Sequence, residues 1–198
     1  MDTIDARQEL AFIKKVITDS RTAISDDGKG LIVWGVLVTI GMVIMYVTFQ
    51  LDYNISKILL WAVLIGAGWV YTFVHEMRRG REKRFSTFGG KILGSVWLGC
   101  GIVMTIIGFL SPATGAVKPW AIVPITSLVI GIGYLVTGVI HDDRWIRLSS
   151  LGWWLGGIAM LIWPGYYMFL LFGAMIIVFQ IFPGIRLYRQ WKSQLASE

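Results

Sequence analysis

Charged residues are scarce in this sequence of 198 residues, at 15% of the chain, against about 25% in an ordinary soluble domain. Hydrophobic residues make up 56% of the chain, so the composition predicts an integral membrane protein. The formal net charge is +6, but the cations lie beside apolar runs, which indicates membrane loops rather than nucleic-acid binding. The single cysteine, Cys100, excludes an intrachain disulfide and a cluster of thiolate metal ligands.

Acidic and basic residues are missing from the interior of every long apolar run. Proton relays, ion-coupled transporters and voltage sensors depend on such residues at membrane depth, so an ion-driven pump is not expected. A glycine-rich phosphate loop, a serine nucleophile elbow and an HExxH zinc motif are also missing. We therefore predict a protein that is not an enzyme and that uses no cofactor.

Six apolar runs predict an all-α, polytopic membrane protein, since most of them approach the ~20 residues that a helix needs to cross the hydrocarbon layer. The six spans are predicted at about Leu31 to Gln50, Ile58 to His75, Ile92 to Leu110, Trp120 to Ile140, Leu148 to Trp163 and Tyr166 to Phe182. Only Pro164 and Gly165 separate the last two, which predicts a tight turn, with a re-entrant hairpin as the alternative.

The basic residues predict which side of the membrane each loop occupies. The loop Arg78 to Arg84, with the sequence RRGREKR, marks the cytoplasmic side. With the spans above, all but two of the 18 Lys and Arg residues fall on that side, and the exceptions are Lys57 and Lys118. Both termini are therefore predicted to be cytoplasmic.

The chain is predicted to have three parts: a cytoplasmic amphipathic helix and linker (1–27), a six-helix transmembrane domain (28–184) and a short basic cytoplasmic C-terminal helix (185–198). The first helix, from Ile4 to Ile24, gathers apolar residues on one face. Its charges nearly cancel, so packing on protein is favoured over binding to anionic lipid. The apolar face consists of Leu10, Ile13, Val16, Ile17 and Ile24.

An internal sequence repeat predicts that the spans form three helical hairpins, all with the same orientation in the membrane. Ile65 to Thr72 reads IGAGWVYT and Ile130 to Thr137 reads IGIGYLVT, each in the second span of a hairpin. A second spacing is repeated in the third and fifth spans. A tryptophan precedes a glycine by four residues in both, at Trp97 and Gly101 and at Trp153 and Gly157. Parallel repeats favour a ring-like bundle, and the alternative is a chance likeness between apolar helices.

Six spans built from repeated two-helix units, without buried charge, resemble the HdeD-type acid-resistance proteins and other short bacterial membrane repeats of unknown function. The resemblance is one of architecture and covers residues 31 to 183. It implies a bacterial inner-membrane protein of stress-response or regulatory type. It carries no functional motif, so no site residue follows from it.

Small residues predict where the helices pack, because lipid offers no hydrophobic drive between helices and close backbone approach must supply the contact energy. The predicted seams are Gly90 with Gly94, Ser95 with Gly99, Gly101 with Thr105, Ser127 with Gly131, and Gly152 with Gly156. The third span has the densest set and is predicted to be the centre of the bundle. Pro124 is expected to kink the fourth span, with Thr126 and Ser127 bonding the freed carbonyl.

Polar residues offer one candidate site. His75 and Glu76 end the second span, and His141, Asp142 and Asp143 end the fourth, so these five side chains are weak candidates for a metal site or a proton-sensing cluster. The alternative is solvated ion pairs with neighbouring arginines. The buried polar residues are predicted to be structural: Thr39, Thr72, Ser95, Thr105, Thr126, Ser127, Tyr134, Thr137 and Gln180.

Three functions remain open at this point. The first is a regulatory, stress-response or assembly protein that docks a cytoplasmic protein at its inner face. The second is a channel or facilitator for a neutral or lipophilic solute. The third is a lipid-modifying enzyme that uses His75 and His141. The expected partners are the lipid bilayer and either a cytoplasmic protein or further copies of the chain, and no nucleic acid is expected.

Overall fold

The computed structural model describes residues 28–79 and 88–195, and these ranges contain helices and no β-strand. Six of the helices are long and apolar enough to cross a membrane, which confirms the predicted all-α membrane protein. The amphipathic helix predicted for Ile4 to Ile24 and most of the basic loop Arg78 to Arg84 lie outside the described residues.

The six helices are labelled in chain order. The first two are α1 (Lys29–Gln50) and α2 (Lys57–Arg79). Helix α3 comprises Phe88–Thr105, a π-helical turn at Ile106–Leu110 and a last turn at Ser111–Thr114. The next two are α4 (Pro119–Ile140) and α5 (Arg144–Ile162), and α6 comprises Tyr167–Ile176, a second π-helical turn at Ile177–Ile181, and Phe182–Leu195.

Several helices extend beyond the apolar spans that the sequence predicts, and two of them continue through a proline. The third and sixth spans are predicted to end at about Leu110 and Phe182, and the helices that contain them continue to Thr114 and Leu195. In both cases a proline, Pro112 or Pro183, follows a π-helical turn by two residues. A proline ring clashes with the carbonyl four residues earlier, and a wider turn just upstream makes room for it without ending the helix. The basic C-terminal segment is thus continuous with the sixth span.

Helices α4 and α5 pack against each other along most of their length. Gly138 lies against the backbone of Arg147, Gly131 against the indole of Trp154, and Gly157 against the carbonyl of Pro124. The predicted seams that contain Gly131 and Gly152 are therefore close contacts, the second of them against Phe179 of α6.

Helices α1 and α6 meet in the same way at one end of the bundle. A side chain at Gly28 would collide with the carbonyl of Gly184, and one at Gly35 with the side chain of Ile181. The amide of Gln180 donates a hydrogen bond to the carbonyl of Leu31 at 3.1 Å. This bond joins the start of the first span to the end of the last one.

The core of the bundle lies between α1, α4, α5 and α6. Its most buried large side chains include Trp153, Met160 and Phe172, each 0% exposed. The prediction that the third span is the centre is wrong, because only 6% of α3's apolar stretch is buried, against 44% for α4. No described atom lies within 4 Å of the positions that side chains at Gly94 and Gly99 would take. Glycine permits close approach, but large side chains decide where the helices interlock.

The environment of Pro124 also differs from the prediction. Pro124 is fully buried within α4. The hydroxyl of Ser127 donates to the carbonyl of Trp153 on α5, at 2.6 Å, and not to a carbonyl of its own helix near the proline. Ser127, which the sequence predicts to bond a carbonyl within α4, therefore links α4 to α5 instead.

Candidate functional site

The turn between α4 and α5 contains three of the five candidate site residues, and its backbone explains their identity. Asp142 adopts a left-handed conformation with φ of 49°. The amide of Asp142 donates to the carbonyl of Val139 at 3.2 Å, and that of Asp143 donates to the carbonyl of Gly138 at 3.1 Å. This pair of bonds is a Schellman cap, in which the left-handed position tolerates Gly, Asn or Asp. Helix α4 ends at Ile140, and His141 is its C-terminal cap residue.

The two aspartates of this turn have structural partners. One oxygen of Asp143 accepts from the amides of Trp145 and Ile146, at 2.7 and 3.1 Å, and so caps the first turn of α5. Asp142 forms an ion pair with Arg147 at 2.9 Å, although the Asp142 side chain is 77% exposed. An exposed pair of this kind contributes about 0 to 1 kcal/mol.

The other candidates lie on α2. The ring of His75 stacks on that of Tyr71, with centroids 5.4 Å apart, and the side chain of Glu76 lies outside the described part. Within the described residues, no group of three or more His, Cys, Asp and Glu side chains could hold a metal ion. The structure thus assigns Asp142 and Asp143 to the turn, and a cluster that includes His75, Glu76 and His141 stays a prediction.

A cleft of about 150 Å³ opens beside this turn, between the start of α5 and the last part of α6. Its lining is mainly apolar and includes one cation and one carboxylate. Trp145 and Phe182 are 44% and 61% exposed, while Ile146 is only 4% exposed and forms part of the packed wall. The lining residues are Asp143, Trp145, Ile146, Phe182, Pro183, Arg186 and Leu187.

The first described residue of the chain lies beside this cleft. Gly28 has φ of 66°, and a side chain there would collide with the carbonyl of Gly184 and with Cβ of Leu187. One residue later, the ammonium of Lys29 lies 5.8 Å from the ring centre of Tyr188. The chain therefore enters α1 against the turn of α6 that carries Pro183 and Leu187.

Exposed cations surround the same end of the bundle. Arg144 at the start of α5, and Arg186, Arg189 and Lys192 along the end of α6, are all exposed. We call this end, with the cleft and these four residues, the basic end. It brings together residues about 40 positions apart in the sequence.

The opposite end of the bundle is aromatic. The ring of Phe49 lies 5.8, 5.1 and 5.5 Å from those of Trp120, Tyr166 and Phe169. The ammonium of Lys57 lies 4.2 Å from the centre of the Phe49 ring. Aromatic rings with a nearby lysine are typical of residues at a membrane surface.

Inside the bundle, one contact occurs twice. Trp34 Nε1 donates to Thr72 Oγ1, and Trp97 Nε1 donates to Thr137 Oγ1, each at 3.0 Å. Thr72 in turn donates to the carbonyl of Gly68 at 2.9 Å. Thr137 repeats that bond with the carbonyl of Gly133, at 2.7 Å. Each tryptophan ring also covers the glycine of its pair.

The predicted bonds to carbonyls of the same helix occur at Thr72, Thr137, Thr105 and Ser95, although Ser95 is exposed and not buried as predicted. Among the described residues, the buried polar atoms of Thr39, Tyr134 and Trp153 have no hydrogen-bond partner.

Sequence reasoning missed Trp34 as the counterpart of Trp97. The available signal was the dipeptide Val-Trp, which precedes the two matched threonines by about the same distance.

Comparison of the chain with models of protein families, with curated proteins and with solved structures finds no match.

Proposed function

We propose that the protein is a regulatory, stress-response or assembly protein of a bacterial inner membrane that binds an acidic cytoplasmic protein at its basic end. The observation that carries this proposal is the placement of polar chemistry. Exposed cations and the cleft lie at one end of the bundle, whereas the core between α1, α4, α5 and α6 is filled by apolar side chains.

The proposal includes the finer topology. The six helices form three consecutive hairpins, both termini face the cytoplasm, and the basic end is the inner end. The positive-inside bias supports this orientation, because the basic end has four exposed cations, whereas Lys57 is the cation that lies with the aromatic cluster at the other end. The repeated Trp–Thr contact supports a common origin for the first two hairpins.

The packing of the core weighs against the channel or facilitator. Trp153, Met160 and Phe172 are 0% exposed where the four core helices meet, so a polar path through these helices would require their separation. A solute path would instead have to run between copies of the chain. This alternative predicts solute flux through purified protein in liposomes, and the docking function predicts none.

Binding at the basic end can be tested by photo-crosslinking in living cells. A crosslinking amino acid replaces exposed Lys192 at the basic end or, as a control, exposed Thr114 at the other end. We expect one identified cytoplasmic protein to be captured from position 192 and not from 114. Arg144→Glu with Arg189→Glu should reduce that capture several-fold, because charge complementarity between the partners is lost.

The same cells test the topology. Cysteines at Asn54 and Thr114 should react with a membrane-impermeant reagent in sealed cells, whereas one at Ser193 should react only after permeabilisation; native Cys100 is buried and serves as the background. Labelling at Ser193 in sealed cells would reverse the orientation. Solute flux in liposomes, without a captured protein, would replace the docking function with the channel.

A further inference from the structure

We propose that the cleft of the basic end is a binding site for the chain's own N-terminal segment, whose apolar face between Leu10 and Ile24 packs against Trp145, Phe182 and Leu187. The contact is intramolecular, so it goes beyond the proposed function and does not depend on a partner protein. Four observations support it: the point at which the chain enters the bundle, the chemistry of the cleft, its size and its charge.

The point at which the chain enters the bundle lies beside the cleft, so the segment is tethered close to it. A side chain at Gly28 would collide with Gly184 and crowd Cβ of Leu187, and Leu187 also lines the cleft. Only Ser25, Asp26 and Asp27 separate Ile24 from Gly28, and a fully extended chain over that distance spans at most about 14 Å. A segment tethered this closely is present at an effective concentration on the order of millimolar, which favours it over any free competitor.

The cleft matches the apolar face in chemistry and in size. Its wall exposes the large apolar surfaces of Trp145 and Phe182, and its volume is about 150 Å³. An apolar cavity of roughly that volume accepts a group the size of benzene, so one branched aliphatic side chain fits. The segment offers such side chains on one face, including Ile13, Ile17 and Ile24.

The charges favour this segment over a lipid surface. The edge of the cleft carries one cation, Arg186, and one carboxylate, Asp143, whose first oxygen already caps α5. The segment is close to neutral and carries charges of both signs near its end, including Asp19 and Arg21. A helix that binds anionic lipid is strongly basic instead.

A crosslinking experiment on the full-length protein tests the contact. Benzoylphenylalanine replaces Phe182, a residue that is already a large exposed aromatic, and the purified protein is irradiated in lipid nanodiscs as a monomer. We expect an adduct within residues 10 to 24 of the same chain, identified by mass spectrometry. The same probe at Trp163, which is 65% exposed and lies at the far end of α5, should give no adduct with that segment.

Two matched double variants identify the cause of the contact. Ile13→Asp with Ile17→Asp should lower the adduct yield roughly tenfold or more, since burial of even one isoleucine is worth about a tenfold change in equilibrium. Lys14→Gln with Lys15→Gln should leave the yield unchanged. The bundle of each variant is checked by its circular dichroism and its elution as one species.

Three results would overturn the inference: an adduct only with lipid, an adduct only with a second copy when two differently tagged chains share a nanodisc, or no adduct within residues 10 to 24. A partner protein captured at Lys192 would leave the inference untouched, and an intramolecular adduct without any captured partner would contradict only the proposed function.

Discussion

The pair α1 and α2 and the pair α3 and α4 contain the same tryptophan contact in different surroundings. In both pairs a tryptophan donates to a threonine and covers the glycine one turn before it. The same tryptophan meets a second aromatic ring edge-on. Trp34 meets Trp69 at 6.2 Å and 90°, and Trp97 meets Tyr134 at 5.6 Å and 83°.

The rings that these two tryptophans meet, Trp69 and Tyr134, differ in how deeply they are buried. Tyr134 is 1% exposed, because α5 places Trp153 against it, with centroids 5.9 Å apart. Trp69 is only partly buried, stacks on Phe73 and lies against Gly101 of α3. A short motif thus specifies the contact between two neighbouring helices, whereas a further helix decides whether that contact becomes part of the core.

The largest expected difference between the two pairs lies at the first glycine of the shared motif. Gly131→Leu should destabilise the protein by about 1 to 3 kcal/mol or more, because a side chain there collides with the indole of Trp154. The matched Gly66→Leu should have little effect, since no described atom lies within 4 Å of the corresponding position. Unfolding in mixed micelles with increasing SDS measures both changes.

Equal losses at Gly66 and Gly131 would show that α2 is covered as tightly as α4, for example by a second copy of the chain. Gly94→Leu on α3 provides a further control for that outcome, because its side chain also has open space among the described residues.

At the second glycine of the motif, we expect the substitution on α2 to be more destabilising than the matched substitution on α4. A Cβ at Gly68 would lie 2.6 Å from the ring of Trp34, whereas one at Gly133 would lie 3.1 Å from the ring of Trp97. Gly68→Ala should therefore cost more than Gly133→Ala, by about 1 kcal/mol, although α2 is the more exposed helix. The same SDS titration applies, and a larger loss at Gly133 would mean that burial, rather than the local contact, sets the cost.

The smallest effect is expected at the threonines. Thr72→Val and Thr137→Val keep the shape of the side chain but remove the acceptor of the indole N–H, which costs about 0.6 kcal/mol on average between membrane helices. Thr105→Val is the control, since Thr105 bonds only the carbonyl of Gly101 in its own helix. A double-mutant cycle with Trp34→Phe and Thr72→Val measures the interaction energy of this pair alone. A coupling energy near zero would contradict a stabilising hydrogen bond between them.

The candidate site shows how far sequence reasoning reaches. The basic character of one end follows from the positions of arginine and lysine relative to the spans, so it could be predicted. The cleft could not, because Trp145 and Phe182 are distant in the sequence and meet only when α5 packs beside α6. The candidates His141, Asp142 and Asp143 were correctly located at a helix end, but the dihedral angles that make Asp142 and Asp143 a cap are visible only in the structure.

The six helices could be predicted from the sequence, because the length of an apolar run and the position of charges are local properties that act in the same way in any bilayer. The packed helices show what the sequence pattern does not: α3 is peripheral, Pro112 and Pro183 lie within continuous helices, and Trp34 and Trp97 make the same contact with a threonine. The physical reason is that lipid and protein are equally apolar. Positions that face either one carry the same residues, so the shapes of the packed side chains determine which helices meet.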